Sequence, residues 1–66
     1  MRNRIRELRR ELGLSQNELA QRCGVSRLTV LSIELDRSEP SLPLAFALAR
    51  ELSTPIESLF QPEDDL

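Results

Sequence analysis

The chain has 66 residues, one cysteine, no histidine and a formal net charge of −2. A chain of this length forms one small domain, and a single cysteine without histidine excludes both a disulfide framework and a Cys/His metal site. No apolar run approaches the ~18 residues of a membrane span, and the N-terminus lacks the apolar segment of a signal peptide, so a cytoplasmic protein is expected.

The two parts of the chain differ in charge. Residues 1–37 contain eight arginines and five acidic residues, whereas residues 38–66 contain one arginine and six acidic residues. Because phosphate binding depends on a local basic patch rather than on the overall charge, nucleic acid stays among the candidate partners. We predict one domain over residues 1–61 and an acidic tail over residues 62–66.

Five helices and no strand are predicted, because Leu, Ala, Arg and Glu dominate and no apolar pattern of period two occurs. Helix 1 is predicted over about residues 3–12, with Ile5 and Leu8 on one apolar stripe. Gly13 follows where a left-handed residue ends a helix, and Leu14 can make the accompanying apolar contact.

Helices 2 and 3 are predicted to be joined by a very short turn. Ser15 and Glu18 form a capping box that begins helix 2, and Gly24 ends it. Ser26 can cap helix 3 only two residues later. Two helices joined by three or four residues that include glycine are typical of a helix-turn-helix.

The last two helices also have sequence signals at their starts. Ser41 can cap helix 4, predicted over residues 42–52. Thr54 is predicted to begin a second capping box with Pro55 at the first helical position, which opens a short helix 5 that ends near Phe60. The predicted fold class is therefore all-α with five helices.

No combination of residues typical of an enzyme is present in the sequence. Histidine is absent, no acidic pair lies in an apolar setting, and no glycine-rich loop could cradle a phosphate. Most serines lie at predicted helix starts, where capping accounts for them. The sequence predicts no catalytic site, cofactor or metal ion, and Cys23 is predicted to be a small buried apolar residue.

Several short motifs together resemble the Cro/C1-type helix-turn-helix family, also called the XRE family. They are GLSQNELA, GVS, IE and the closing PIESLF, and the resemblance covers residues 4–60. It implies a five-helix, lambda-repressor-like domain whose third helix enters the major groove of DNA. It also implies a transcriptional regulator, more often a repressor, that binds an operator as a homodimer. The surface expected for dimer contact is helix 5 with the nearby face of helix 4, including Phe46 and Phe60.

The resemblance also assigns DNA contacts to helix 2, helix 3 and the following loop. A glutamine at the start of helix 2 binds a backbone phosphate in the family and Gln16 matches it, although an exposed helical residue is the alternative. Arg27 suits bidentate hydrogen bonds to guanine, and Leu28 suits packing on a thymine methyl. The residues predicted to contact DNA are Gln16, Asn17, Arg27, Leu28, Thr29, Ser32 and Arg37.

Glu34 falls at the edge of the core side of helix 3, where Val30 and Ile33 point inward. An unpaired carboxylate at that position would be costly. The family pairs this glutamate with an arginine of helix 1, and the matching residue is Arg9. The pair is predicted to fix helix 1 against helix 3, and two separate surface charges are the alternative.

Three leucines, Leu28, Leu31 and Leu35, depart from the family pattern and form a second apolar stripe, here called the outer stripe. In one interpretation Leu28 contacts DNA, and the loop after helix 3 covers the other two. In the other, the outer stripe binds a protein, as in an antitoxin-like or partner-modulating module. Asp36 stands where the family commonly has glycine, which raises the cost of a left-handed backbone there.

Overall fold

The computed structural model describes residues 1–62, which form five helices and a two-stranded sheet. The predicted all-α, five-helix fold with a helix-turn-helix is confirmed. The predicted acidic tail lies outside the described residues except for Pro62. In chain order the elements are β1 (Arg2–Asn3), α1 (Ile5–Glu11), α2 (Gln16–Cys23), α3 (Arg27–Glu34), α4 (Leu42–Glu51), α5 (Ile56–Leu59) and β2 (Phe60–Gln61).

The prediction that the chain has no strand was wrong at its two ends. Strands β1 and β2 pair antiparallel, with Arg2 opposite Gln61 and Asn3 opposite Phe60. Two residues are too few to show an apolar pattern of period two, so no local signal could have indicated them. The Asn3 carboxamide oxygen accepts a hydrogen bond from the Ile5 N–H at 3.1 Å, and α1 therefore begins two residues later than predicted.

The four longer helices all end in the same backbone motif. After α1, for example, the Gly13 N–H bonds to the Arg10 carbonyl at 3.0 Å and the Leu14 N–H bonds to the Arg9 carbonyl at 2.9 Å. This pair of bonds is the Schellman motif, which requires a left-handed residue. The residues that adopt positive φ at the four helix ends are Gly13, Gly24, Asp36 and Ser53.

Three of the four predicted serine and threonine caps are present. Ser15 accepts the Glu18 N–H at 3.0 Å while the Glu18 carboxylate accepts the Ser15 N–H at 2.9 Å, so the predicted capping box is complete. Ser26 and Ser41 cap α3 and α4 in the same way, each through its hydroxyl oxygen. The local signals at these helix starts therefore predicted the structure correctly.

The predicted capping box at Thr54 is wrong. Pro55 is the N-cap residue of α5, and no side chain caps that helix. The Thr54 N–H instead bonds to the Ala49 carbonyl at 3.1 Å and closes the Schellman motif of α4. Only three residues lie between Leu52 and the start of α5. Thr54 therefore belongs to the motif that ends α4 and does not cap α5.

One apolar core lies at the centre of the domain, and all five helices contribute to it. Cys23 packs against this core, and burial raises the pKa of its thiol. Phe60, predicted on the dimer surface, is only 8% exposed: its backbone pairs with that of Asn3 in the short sheet, and its side chain belongs to the core. The buried apolar residues are Ile5, Leu14, Leu19, Ala20, Val30, Ile33, Ala45, Leu48, Ala49, Leu52, Leu59 and Phe60.

We expect Ser15→Ala to lower the free energy of unfolding by about 1 kcal/mol, because it leaves the Glu18 N–H without its side-chain acceptor. Urea unfolding followed by circular dichroism measures this loss. Ser58→Ala, a change in the α5 helix that removes no helix cap, is the control. A Ser15→Ala variant as stable as the control would contradict this role of the box.

The same capping box makes stability depend on pH. The Ser15 backbone N–H, and then its hydroxyl, lower the pKa of Glu18 below its ordinary value. A carboxylate whose pKa is lowered by folding stabilises the protein above its unfolded pKa, and this contribution is lost as pH falls through the folded pKa. Glu18→Gln should therefore be less stable than the wild type at pH 7 and approach it in acid.

Candidate nucleic-acid interface

The turn between α2 and α3 presents the first turn of α3 at the protein surface. Gly24 adopts a φ of 73°, and the Val25 N–H bonds to the Ala20 carbonyl at 3.0 Å. The Val25 side chain packs against the core and anchors the turn. Such a short, anchored turn fixes the direction in which α3 leaves α2.

Helix α3 has a buried side and an exposed leading end. Val30 and Ile33 are 0% and 2% exposed, so this side packs into the core. At the leading end Arg27 is exposed, and Leu28 is 65% exposed. The Ser26 hydroxyl caps this end by accepting the Thr29 N–H at 3.2 Å. The leading end is therefore both ordered by its cap and open to solvent.

Arg9 and Glu34 are brought together between α1 and α3. Arg9 Nε donates to Glu34 Oε2 at 2.8 Å, and Arg9 Nη2 donates to Glu34 Oε1 at 3.3 Å. Their side chains are only 9% and 3% exposed, and Arg9 Nη1 also donates to the Leu14 carbonyl at 2.9 Å. The two side chains therefore form a buried, bidentate ion pair rather than two surface charges.

Gln16 connects this ion pair to the leading end of α3. Its Nε2 donates to Glu34 Oε1 at 3.1 Å, and its Oε1 accepts from Arg27 Nη1 at 3.3 Å. Gln16 is half-buried, so it is not the fully exposed helical residue of the alternative interpretation. A continuous polar chain thus runs from Arg9 through Glu34 and Gln16 to Arg27. The family resemblance predicted the Arg9–Glu34 part of this chain, but nothing in the sequence indicated the Gln16 bonds that extend it to Arg27.

The remaining predicted contact residues lie around α3 with different exposure. Thr29 and Ser32 are half-buried, and their hydroxyls are hydrogen-bonded to those of Ser26 at 3.0 Å and Ser38 at 2.9 Å. Asn17 and Arg37 are exposed, at the start of α2 and in the loop after α3. The Ser32 hydroxyl is thus already engaged by the loop, whereas Asn17 and Arg37 present their side chains to solvent.

The expectation that the loop after α3 covers Leu31 and Leu35 was wrong. Leu35 is 48% exposed, and Leu31 is half-buried at the side of a shallow groove of about 470 Å³. Asp36 is left-handed with a φ of 58°, and the Ser32–Ser38 bond shows that the loop follows the other side of α3. The groove is lined by Arg6, Arg9, Arg10, Ser15, Gln16, Leu31, Glu34 and Leu35.

The arginines of the N-terminal segment differ in how they are paired. Arg4 forms a 2.6 Å ion pair with Glu7, which raises the pKa of Arg4 and lowers the pKa of Glu7. Arg6 and Arg10 instead line the groove beside the outer stripe. The composition does not distinguish these arginines, whereas the spacing of residues 6 and 10, one helical turn apart, places both on one face of α1.

Residues 1–62 were also searched for a metal site and for a membrane-spanning helix. Within residues 1–62 no three acidic or cysteine side chains are grouped so that they could hold a metal ion. Among the helices described, none is long and apolar enough to cross a bilayer. The surface that combines exposure, order and basic side chains is the one around the leading end of α3.

A short capped helix presented by a tight turn against a second helix defines a helix-turn-helix DNA-binding domain. The helix-turn-helix family model matches residues 5–59. The chain belongs to the Cro/C1-type, or XRE, family of helix-turn-helix transcriptional regulators.

Similar proteins agree with this assignment. An HTH-type transcriptional regulator of Methanothermobacter thermautotrophicus is 50% identical over 98% of this chain and 96% of its own length. The P22 c2 repressor in complex with a synthetic operator has a TM-score of 0.85 and 28% identity, with 91% of each chain covered. The restriction-modification controller protein C.AhdI of Aeromonas hydrophila has a TM-score of 0.80 and 38% identity, with 86% of each chain covered.

Proposed function

We propose that this protein is a cytoplasmic transcriptional repressor that binds a pseudo-palindromic operator as a homodimer and inserts the leading end of α3 into the major groove. The observation that carries the proposal is the exposure of Arg27 and Leu28 at a capped helix end. A major groove about 12 Å wide admits one α-helix, and a helix-turn-helix reads base edges with the first residues of that helix.

The residues around α3 divide into those that read bases and those that bind phosphate. Arg27 is the base reader, because its guanidinium can donate two hydrogen bonds to guanine O6 and N7. Leu28 packs on a thymine methyl. Gln16 and Arg37 contact the backbone, and the N-terminus of α2 adds free N–H groups and the positive end of a helix dipole. Asn17, Thr29 and Ser32 contribute secondary contacts.

Gln16 also positions Arg27. The 3.3 Å bond between Arg27 Nη1 and Gln16 Oε1 holds the guanidinium beside the start of α2 before DNA arrives. Because Gln16 is itself held by the buried Glu34 carboxylate, the Arg27 side chain loses less rotamer freedom on binding. This arrangement supports directional readout by Arg27.

Repression and dimerisation are supported by similarity and by size. The P22 c2 repressor shares the fold along nearly the whole chain. One helix of eight residues buries little surface, and two copies on adjacent half-sites double the phosphate contacts and match the symmetry of a palindromic operator.

The direct test is binding to a random-sequence duplex at several salt concentrations. A protein that neutralises phosphates releases counterions, so the logarithm of its affinity should fall linearly with the logarithm of salt. We expect measurable binding in low salt and a steep fall as salt rises. Undetectable binding in low salt would contradict the proposal.

A second candidate is a protein-interaction module that uses the outer stripe. It is favoured by the 65% and 48% exposure of Leu28 and Leu35 and by the groove beside Leu31. This candidate replaces the first if DNA binding is undetectable in low salt while Leu31→Glu abolishes a protein complex. If the protein is a DNA-binding regulator, it binds the duplex in low salt. Leu31→Glu should then weaken this DNA binding, because the glutamate would lie in the groove that Arg6 and Arg10 line.

A further inference from the structure

Leu28 is the most exposed apolar side chain of α3, and it lies at the leading end of the helix. It is 65% exposed, directly after Arg27, in the turn that the Ser26 hydroxyl caps by accepting the Thr29 N–H. The leucine side chain has no hydrogen-bonding group, so it can recognise a base only by apolar contact. The apolar group that a base presents in the major groove is a methyl group on C5 of a pyrimidine.

The polar side chains that follow Leu28 on α3 are already hydrogen-bonded within the chain. Thr29, the next residue, shares a hydrogen bond of 3.0 Å with the Ser26 hydroxyl. Ser32, one helical turn after Leu28, shares a hydrogen bond of 2.9 Å with the Ser38 hydroxyl. These two bonds hold the hydroxyls in place, so neither is free to turn toward the pyrimidine that Leu28 contacts.

Arg27, the residue before Leu28, is also held away from that pyrimidine. Its Nη1 donates to Gln16 Oε1 at 3.3 Å, and Gln16 Nε2 donates to Glu34 Oε1 at 3.1 Å. The guanidinium therefore lies beside the start of α2, from which it reads guanine in the proposed function. The leading end divides its tasks, because Arg27 supplies hydrogen bonds and Leu28 supplies contact with a methyl group.

Thymine and cytosine differ in the major groove at two places. Thymine has an O4 acceptor where cytosine has an N4 amino donor, and thymine has a C5 methyl group that cytosine lacks. A side chain that senses only the methyl group does not distinguish thymine from 5-methylcytosine, which carries the same group on the same carbon.

We propose that Leu28 makes this protein a reader of the C5 methyl group, so that 5-methylcytosine replaces thymine at the position that Leu28 contacts. Unmodified cytosine at that position binds more weakly. Methylation of a cytosine in the operator therefore raises the affinity of the protein for DNA. This inference rests on the proposed function, because it requires that α3 enters the major groove.

The size of the effect follows from the area of one methyl group. Burial of a CH₂ group contributes about 0.8 kcal/mol, which corresponds to a factor of about four in affinity. Two copies on a symmetric operator each contact one methyl group, so removal of both should cost about fifteenfold.

The test compares duplexes that differ at the position where Leu28→Ala relaxes the preference in a selection from a random DNA pool. Thymine, uracil, 5-methylcytosine or cytosine is placed there opposite its normal purine. The changes from thymine to uracil and from 5-methylcytosine to cytosine each remove only the methyl group. Each should lower the wild-type affinity about fourfold per half-site, and the thymine and 5-methylcytosine duplexes should agree within about twofold.

Two variants show whether Leu28 is responsible. Leu28→Ala removes most of the contact and should reduce both methyl effects to less than about twofold. Leu35→Ala is the matched control, because Leu35 is 48% exposed at the other end of α3, and this variant should retain both effects. Thermal unfolding by circular dichroism ensures that only folded variants are compared.

The outcomes separate this inference from the proposed function. Equal wild-type affinity for the thymine and uracil duplexes would overturn the inference and leave the proposed function intact. A 5-methylcytosine duplex bound no better than the cytosine duplex, or methyl effects that persist in Leu28→Ala, would overturn it in the same way. If the wild type binds no duplex in low salt, the proposed function fails and the inference fails with it.

Discussion

Replacing Arg9 with methionine is expected to cost about 3–5 kcal/mol of unfolding free energy, the range measured when one partner of a buried ion pair is removed. The Glu34 side chain is 3% exposed, so it would keep a buried charge with only the Gln16 amide as a partner. The Leu14 carbonyl would also lose its bond from Arg9 Nη1. A domain of 66 residues has only about 3–10 kcal/mol in total, so the expected loss is a large fraction of its stability, and urea titration would measure it.

Two further variants show whether the effect comes from the buried charge. Arg10→Met changes the exposed neighbour of Arg9 in the same helix and should alter stability by no more than about 0.5 kcal/mol. Arg9→Met with Glu34→Leu removes both charges and should recover much of the loss, because apolar pairs often replace buried ion pairs without cost. If Arg9→Met and Arg10→Met are equally stable, the ion pair has no role in holding α1 against α3.

The features that the sequence predicted correctly depend on neighbouring residues. The capping box at Ser15 is contained in four residues, and the Schellman motif at Gly13 requires one residue that tolerates positive φ. Helix periodicity placed Val30 inside and Leu28 outside, because packing one side of a helix exposes the other. Local chemistry and periodicity together therefore define most helix bounds of so small a domain.

The wrong predictions concern residues whose roles depend on contacts that the local sequence pattern does not show. Phe60 is buried because Asn3, at the other end of the chain, pairs with it in the short sheet. The sequence context of Thr54 predicts a cap for α5, but the Thr54 N–H bonds to the Ala49 carbonyl at the end of α4. Leu35 is uncovered because the loop runs along the other side of α3, a path determined by Asp36 and by the Ser32–Ser38 bond.

In the candidate site, too, some features could be predicted from the sequence and others depend on how the helices pack. Resemblance to a family placed its residues, and periodicity showed that Leu28 faces outward. The hydrogen bonds that connect Gln16 to Glu34 and Arg27 could not be predicted, because they depend on the angle at which α2 and α3 pack. That connection distinguishes Arg27 from the other exposed arginine at this surface, Arg37, for which no side-chain partner is observed within residues 1–62.

Arg27 and Arg37 should therefore differ in the kind of DNA affinity that each supplies. Arg27→Ala should cost about 1–3 kcal/mol on the preferred site and relax the preference at one base position, because it removes bidentate hydrogen bonds to guanine. Arg37→Ala should weaken all sequences alike and reduce the slope of log affinity against log salt by about 1, because it removes a phosphate contact. Selection of bound sequences from a random pool, followed by salt titrations on the selected and a scrambled duplex, measures both effects. Loss of affinity that is uniform across sequences in both variants would show that Arg27 binds only phosphate, and base reading would then have to come from Leu28 and the rest of the leading end of α3.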